Sequence, residues 1–455
     1  MVYSSFTDDT FCAPATAPVD SSIAVIRVNG PAALETVRSF FSRPEKIIPR
    51  EACHGTVLDE GKPVDDVIIL YFKSPATYTG DDLVEIHCHG NQFIVHRLIK
   101  MLMNRGVRIA EPGEFTRRAF INGKMDLTEA EAVNHIITAR SDWEVETSLK
   151  QMHGSLRQAV NEIRDRLITL KADIESGIDF IEEDIEFISS SEALDSINKI
   201  SAAIKDMITR CRTGQKLSRG IDLAIVGKPN VGKSSILNLL LNQERAIVSD
   251  IPGTTRDMIK ETVQIKGIHL NIIDTAGIGI PSDEIERIGI ELTGKKIEEA
   301  SLVLCVLDAT TGITEQDRPV LEKVQSKSVF YLINKIDLTR DAIESIDKNL
   351  PREAIPFSAR TAEGIGILET EISDFLRNAF VDYRNSFIAD VRVITLLEKA
   401  LGSATEAALV IEKNEPPEII AFEIQALIDY FSEITGEITP EDVLNSIFSR
   451  FCIGK

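Results

Sequence analysis

Apolar and polar positions follow three rhythms along this chain. The first is short apolar runs bounded by turn residues. Ile221 to Val226 predicts a buried parallel strand, and Ser235-Ile236-Leu237-Asn238-Leu239-Leu240 opens a helix after it. Leu270 to Ile273, Val329 to Ile333 and Ala354 to Phe357 predict further strands, so residues 218–380 read as a mostly parallel α/β domain. The second rhythm fills residues 1–119. There Ser22 to Val28, Val67 to Phe72 and Leu83 to Cys88 predict strands, and Gln92 to Asn104 a helix, giving a compact α+β unit. The third is helical. Leu149, Leu156, Val160, Ile163, Leu167, Leu170 and Ile174 predict one long amphipathic helix, with a second over Ala193 to Arg210. No proline occurs between Pro112 and Pro229. Residues 381–455 turn helical again, interrupted by Glu415-Pro416-Pro417. Neither helical stretch is self-sufficient. The economical architecture is one helical domain built from 120–217 and 381–455, with 218–380 inserted between its halves.

Composition narrows the classes. A chain of 455 residues accommodates about three domains. Its 43% hydrophobic content supports real cores, and no run reaches the roughly 18 apolar residues of a membrane span. No signal peptide is visible and no membrane association is expected. Six scattered cysteines, at 12, 53, 88, 211, 305 and 452, suit reduced thiols of the cytoplasm better than a disulfide framework. The net charge of −21 repels phosphate backbones, so nucleic-acid contact needs a local basic patch or a partner. His87-Cys88-His89, with Cys53-His54 upstream, suggests a metal. In a strand, however, His87 and His89 share one face while Cys88 points away, and no CxxC occurs.

The chemistry lies between the first inserted strand and its helix. Gly227-Lys228-Pro229-Asn230-Val231-Gly232-Lys233-Ser234 makes a P-loop in that setting. Backbone N–H groups over Asn230, Val231, Gly232, Lys233, Ser234 and Ser235, with the helix N-terminus, favour phosphates. Lys233 would reach the β- and γ-phosphates of GTP, and the Ser234 hydroxyl would ligate Mg²⁺. The bland alternative is a surface turn without a ligand. Against it, Asp274-Thr275-Ala276-Gly277 ends the next strand, where an Asp holds Mg²⁺ through its water shell. Asn334-Lys335-Ile336-Asp337 offers a carboxylate to guanine's ring N–H and exocyclic amine. Adenine lacks both donors and would leave that carboxylate unsatisfied, at about 1–3 kcal/mol per group. Ser358-Ala359-Arg360 closes the base pocket.

These residues resemble a known family. The P-loop, then Asp250-Ile251-Pro252-Gly253-Thr254-Thr255-Arg256-Asp257 and Asp274-Thr275-Ala276-Gly277, are similar to the TrmE–Era–EngA class of GTPases. Terminal Phe451-Cys452-Ile453-Gly454-Lys455 narrows this to the MnmE (TrmE) family, as does Glu111 to Phe120 with Asn122-Gly123-Lys124 and Asp126-Leu127. The resemblance covers nearly the whole chain. It implies a homodimer with an N-terminal folate-binding domain, acting with an MnmG-type FAD-dependent partner on tRNA. The reaction implied modifies carbon 5 of the wobble uridine with a one-carbon unit from formyl-tetrahydrofolate. Arg27, Glu85, Lys124 and Lys455 would line the folate pocket; singly, each reads as a surface charge. The resemblance adds Ser249, Asp250, Ile251, Pro252, Gly253, Thr254 and Thr255 to the GTP contacts. It assigns K⁺ to Asn230, Ser249, Ile251 and Thr254, and lets Thr255 complete the Mg²⁺ shell. Ras-like proteins orient the attacking water with a Gln after Asp-Thr-Ala-Gly; here that residue is Ile278, which has no hydrogen-bonding group. Glu286 matches the glutamate to which the family gives this task. Cys452 is expected as a buried structural thiol. Two rival functions are an Era-like RNA-binding GTPase, which needs a basic KH-type domain, and a folate one-carbon transferase with a merely regulatory GTPase.

Overall fold

The computed structural model describes residues 9–179, 188–243, 261–265, 267–273, 297–298, 300–341, 343–379 and 385–455. They form two compact units, one of Met1–Asn134, Gln151–Ser201 and Lys399–Lys455, the other of His135–Lys150 and Ala202–Glu398.

The first unit begins with strands β1 (Phe11–Pro14) and β2 (Ser21–Asn29), helix α1 (Ala33–Arg38), and strands β3 (Ala52–Asp59), β4 (Lys62–Phe72) and β5 (Leu83–Gly90). Helix α2 (Gln92–Met103) and strand β6 (Arg108–Ile109) follow. The sheet order is β3-β4-β5-β2-β1-β6, all antiparallel except the β1–β6 pair. Period-two patterning sorts its faces. Ala24, Ile26, Val28, Val84, Ile86 and Cys88 point into the core with Val95, Leu98, Met101 and Leu102 of α2, while Arg27, Glu85, His87 and His89 take the other face. Helix α3 (Glu114–Ile121) buries Arg118, which pairs with Asp9 at 2.7 Å and Asp81 at 3.0 Å.

Helix α4 (Leu127–Thr138) opens with a capping box. The Glu129 N–H donates to Asp126 Oδ1 at 2.8 Å, and the Asp126 N–H donates back to Glu129 Oε2 at 2.9 Å. Helices α5 (Asp142–Met152) and α6 (Ser155–Asp179) correct one expectation: the helix through Leu149 to Ile174 is two helices. Gly154, at φ +90°, breaks it in the left-handed region. Leu156, Val160, Ile163, Leu167, Leu170 and Ile174 are buried along α6, whereas Leu149 on α5 is exposed. Helix α7 (Ser190–Arg219) is longer at both ends than its apolar spacing suggested.

The second unit carries a sheet of β7 (Ile221–Val226), β8 (Glu261–Ile265), β9 (Ile268–Ile273), β10 (Leu302–Asp308), β11 (Val329–Asn334) and β12 (Ile355–Pro356). Helices α8 (Lys233–Gln243), α9 (Arg318–Val324), α10 (Ile343–Asp347) and α11 (Ile365–Ala379) connect or flank them. The order is β12-β11-β10-β7-β9-β8, parallel except for the antiparallel edge β8. Leu223, Ile225, Leu302, Leu304 and Val306 feed a core on one face; Ala224, Val226, Val303, Cys305 and Leu307 feed one on the other. Both faces are covered, as a parallel sheet requires. Trp143 of α5 packs into the first of these cores, and its backbone N–H donates to Gly267 O at 3.3 Å.

Helices α12 (Val391–Glu412), α13 (Pro417–Thr435) and α14 (Glu441–Phe448) complete the chain, with the break at Glu415–Pro417 where proline predicts it. Phe448 and Phe451 close a cluster with Leu127, Ala130, Leu444 and Ile447. Among the described residues no helix is long and apolar enough to cross a membrane.

Candidate functional site

β7 lies between β9 and β10, so the chain leaves the sheet in opposite directions from its carboxyl end. Such a switch point opens a crevice for a ligand, and the P-loop sits there. The loop runs directly from Val226 into α8, whose first turn begins at Lys233, two residues earlier than the spacing predicted. Gly227 and Gly232 hold φ of +150° and +102°, and Asn230 +64°. A Cβ on Gly232 would lie 2.2 Å from Asn334 Nδ2. Glycine is therefore obligatory where two loops meet. The Lys233 ammonium donates to Gly227 O at 2.8 Å and Lys228 O at 2.7 Å. Ser234 and Ser235 are exposed on the first turn of α8, and Val231 is buried beneath it.

The residues expected to read the base converge on the same crevice. Asn334, 2% exposed, donates from Nδ2 to Val231 O at 2.7 Å and accepts the Ala359 N–H on Oδ1 at 3.0 Å. One buried amide thus ties the phosphate loop to the Ser358–Arg360 turn. The Ser358 hydroxyl donates to Asp337 Oδ1 at 2.8 Å, orienting an exposed carboxylate. Arg360 is exposed. Lys335, at φ +70°, donates to Asp308 Oδ2 at 2.6 Å. Burial would push the Asp308 carboxyl up, but Lys335 and two donors of Thr310 outweigh it and hold it below the usual carboxylate range. Asp308 carries no spacing signal in the sequence; only its place at the end of β10 puts it beside Lys335.

The glycine cradle, the ammonium on the helix N-terminus and the exposed Ser234 hydroxyl fit a nucleotide phosphate with Mg²⁺. Ser249, Asp250, Ile251, Pro252, Gly253, Thr254, Thr255, Asp274, Thr275, Ala276, Gly277, Ile278 and Glu286 lie outside the described residues. Of the K⁺ set only Asn230 is described; it is exposed, with left-handed backbone.

A second constellation occupies the outer face of the N-terminal sheet. Arg27 and Glu85 are directly opposed on β2 and β5 and pair at 2.9 Å. His87 Nε2 lies 3.1 Å from Glu85 Oε2, and Arg27 Nη1 donates to Gly454 O at 3.1 Å. Gly454, at φ +92°, fits because a Cβ there would lie 2.3 Å from Pro14 O. Burial and then the Arg27 charge hold the Lys455 ammonium below the usual lysine range. Lys124 is placed apart, over the 75–80 turn, donating to Pro75 O at 2.9 Å. Cys452 is exposed, correcting the buried thiol expected: Phe451 takes the apolar cluster and Gly454 packs on Pro14, which turns Cys452 outward. Among the described residues no group of three His, Cys, Asp or Glu side chains is arranged to hold a metal; Cys88 points into the core.

Comparison with known proteins places the chain among characterised relatives. Residues 10–124 match the family described as GTP-binding protein TrmE N-terminus, and residues 127–452 match the MnmE helical domain. The tRNA modification GTPase MnmE of Thermotoga maritima is 40% identical over 451 residues, covering 98% of this chain and 100% of its own. Its namesake from Aquifex aeolicus is 42% identical over 440 residues, 96% and 97% of the two chains. That of Clostridioides difficile is 39% identical over 458 residues, 99% and 100%.

Proposed function

This chain belongs to the MnmE (TrmE) family of tRNA modification GTPases, and on that premise we propose that it hydrolyses GTP to drive modification of carbon 5 of the wobble uridine in tRNA. The observation that carries the GTP half is Asn334, which joins the phosphate loop at Val231 to the base-side turn at Ala359. Through it, seating of guanine on Asp337 and of phosphates on Lys233 act on one framework.

Lys233, steadied on the carbonyls of Gly227 and Lys228, would reach the β- and γ-phosphates, and Ser234 with Thr255 would hold Mg²⁺. Asn230, Ser249, Ile251 and Thr254 would hold K⁺. Held there, cations would supply positive charge against the negative charge that develops between the β- and γ-phosphates, an effect worth ~10³-fold or more in rate. Glu286 would orient the attacking water, since Ile278 has no group to do so. Arg27, Glu85 and Lys455 on the N-terminal sheet, with Lys124 beside the 75–80 turn, would bind a formyl-tetrahydrofolate derivative. The chain would work as a cytoplasmic homodimer with an MnmG-type FAD-dependent partner, along the division 1–119, 120–217, 218–380 and 381–455. The dimer would tether paired G domains at high effective concentration.

The test has two arms. GTP turnover of the full chain is compared in KCl and NaCl at equal ionic strength, with faster turnover expected in KCl; equal rates sink the K⁺ assignment. The nucleoside profile of tRNA from cells lacking the gene is expected to lose a carbon-5-modified wobble uridine; an unchanged profile refutes the substrate.

A further inference from the structure

The P-loop carries a second lysine that the phosphate chemistry does not use. Lys228 follows Gly227, and its side chain is 9% exposed. Its ammonium donates to Asp317 Oδ2 at 2.9 Å, Thr311 Oγ1 at 3.0 Å and Thr314 Oγ1 at 3.2 Å, with Gly312 O at 3.4 Å. All four acceptors belong to the loop between β10 and α9. That loop is itself tightly folded. Thr314 donates to the same Asp317 oxygen from its N–H at 2.8 Å and its hydroxyl at 2.7 Å, and the Gly312 N–H donates to Asp308 O at 3.0 Å.

The pair is expensive as a source of stability alone. The Asp317 side chain is 1% exposed and its Oδ1 is buried without a hydrogen-bond partner. Burying an ammonium and a carboxylate costs several kcal/mol per ion before their attraction is counted, and an unsatisfied oxygen adds to that. What the pair does supply is position. The same Lys228 whose side chain is clasped presents its carbonyl to the Lys233 ammonium at 2.7 Å. Asp308, at the other end of the loop, holds Lys335 of the base-reading turn. One loop therefore grips the phosphate side and the base side through two lysine–aspartate pairs.

We propose that Lys228 and Asp317 are positioning residues of the nucleotide site: their buried pair fixes the Gly227–Lys228 peptides on which Lys233 rests, and so sets nucleotide retention and turnover. The inference rests on the guanine-nucleotide reading above. Losing a charge-assisted buried hydrogen bond typically costs about 1.5–3 kcal/mol, which as a dissociation rate is roughly ten- to a hundredfold. The experiment measures mant-GDP dissociation by stopped flow, GTP kcat and KM, and the Tm of the nucleotide-free full chain, for Lys228→Met, Asp317→Asn, Lys228→Arg and the Lys228→Met/Asp317→Asn double variant. Each neutralising variant is expected to speed dissociation roughly tenfold or more and to lower kcat at temperatures well below its Tm. Lys228→Arg, which keeps the charge, should fall between them and wild type. The double variant should dissociate no faster than the faster single one, since both remove one interaction. Should Asp317→Asn fail to fold, Lys228→Met and Lys228→Arg decide. Dissociation within about twofold of wild type in folded variants, or additive effects in the double, would overturn the inference. A wild-type chain that binds no mant-GDP would overturn the nucleotide reading with it.

Discussion

Gly232→Ala tests the junction of the phosphate and base loops at one atom. The new methyl meets two obstacles. Gly232 sits at φ +102°, and a side chain in the left-handed half of the map costs about 1–2 kcal/mol. The Cβ would also lie 2.2 Å from Asn334 Nδ2, a distance that real contacts do not reach. Asn334 is 2% exposed, so it cannot swing into water; it must shift off Val231 O and leave a buried donor and acceptor unpaired, at about 1–3 kcal/mol. Together these come to about 2–5 kcal/mol, or roughly 30- to several thousand-fold in nucleotide affinity. Fluorescence titration with mant-GDP measures that loss, and the Tm of the nucleotide-free chain checks the fold. Asn334→Ala removes the colliding amide, so in the Gly232→Ala/Asn334→Ala double variant the penalties should sum to less than their separate values. Affinity within about threefold of wild type in a folded Gly232→Ala chain, or strict additivity in the double, would refute the reasoning.

Three further outcomes follow from individual side chains. Asp337→Asn replaces an acceptor with a donor toward the base; it should weaken GTP binding and favour xanthosine nucleotides, and full GTP affinity in a competition assay would remove Asp337 as the base reader. Glu286→Ala should leave nucleotide affinity nearly intact while lowering single-turnover hydrolysis, whereas weaker binding at unchanged turnover would exclude a role in placing water. Asp126 is pushed up to about 6, first by burial, against donors from Glu129 and Thr128 that pull it down. The native state then binds more protons than the unfolded state between about pH 4 and 6, so this group's contribution falls as pH rises through that window and levels off above it. Denaturation of Asp126→Asn and wild type at pH 4.5 and 7 should show a smaller loss in the variant, by about 2 kcal/mol; parallel curves would contradict the shift.

What the sequence determined was local in origin. Ile221 to Val226 followed by a glycine-rich loop can only leave a buried strand through a turn that needs positive φ, so the P-loop was legible from adjacent residues. Asn334 to Asp337 and Ser358 to Arg360 were legible for the same reason, each lying at the end of a short apolar run. The outward face of β5, with His87 and His89 together, followed from period two alone. The sequence misjudged the helix through Leu149 to Ile174, because apolar spacing continues in register across Gly154 while the backbone does not. Other features needed the tertiary structure. Leu302–Asp308 places Asp308 and the loop to Asp317 beside two lysines distant along the chain, through strand pairing that no local spacing encodes. Arg27 meets Gly454 O across 427 positions only because the terminal segment packs Phe451 into the cluster around Leu127 and Gly454 against Pro14. A motif whose atoms are neighbours in sequence is fixed by backbone geometry. A site whose atoms meet through strand order and core packing is decided by the global minimum of buried surface and satisfied hydrogen bonds, which a window of adjacent residues does not contain.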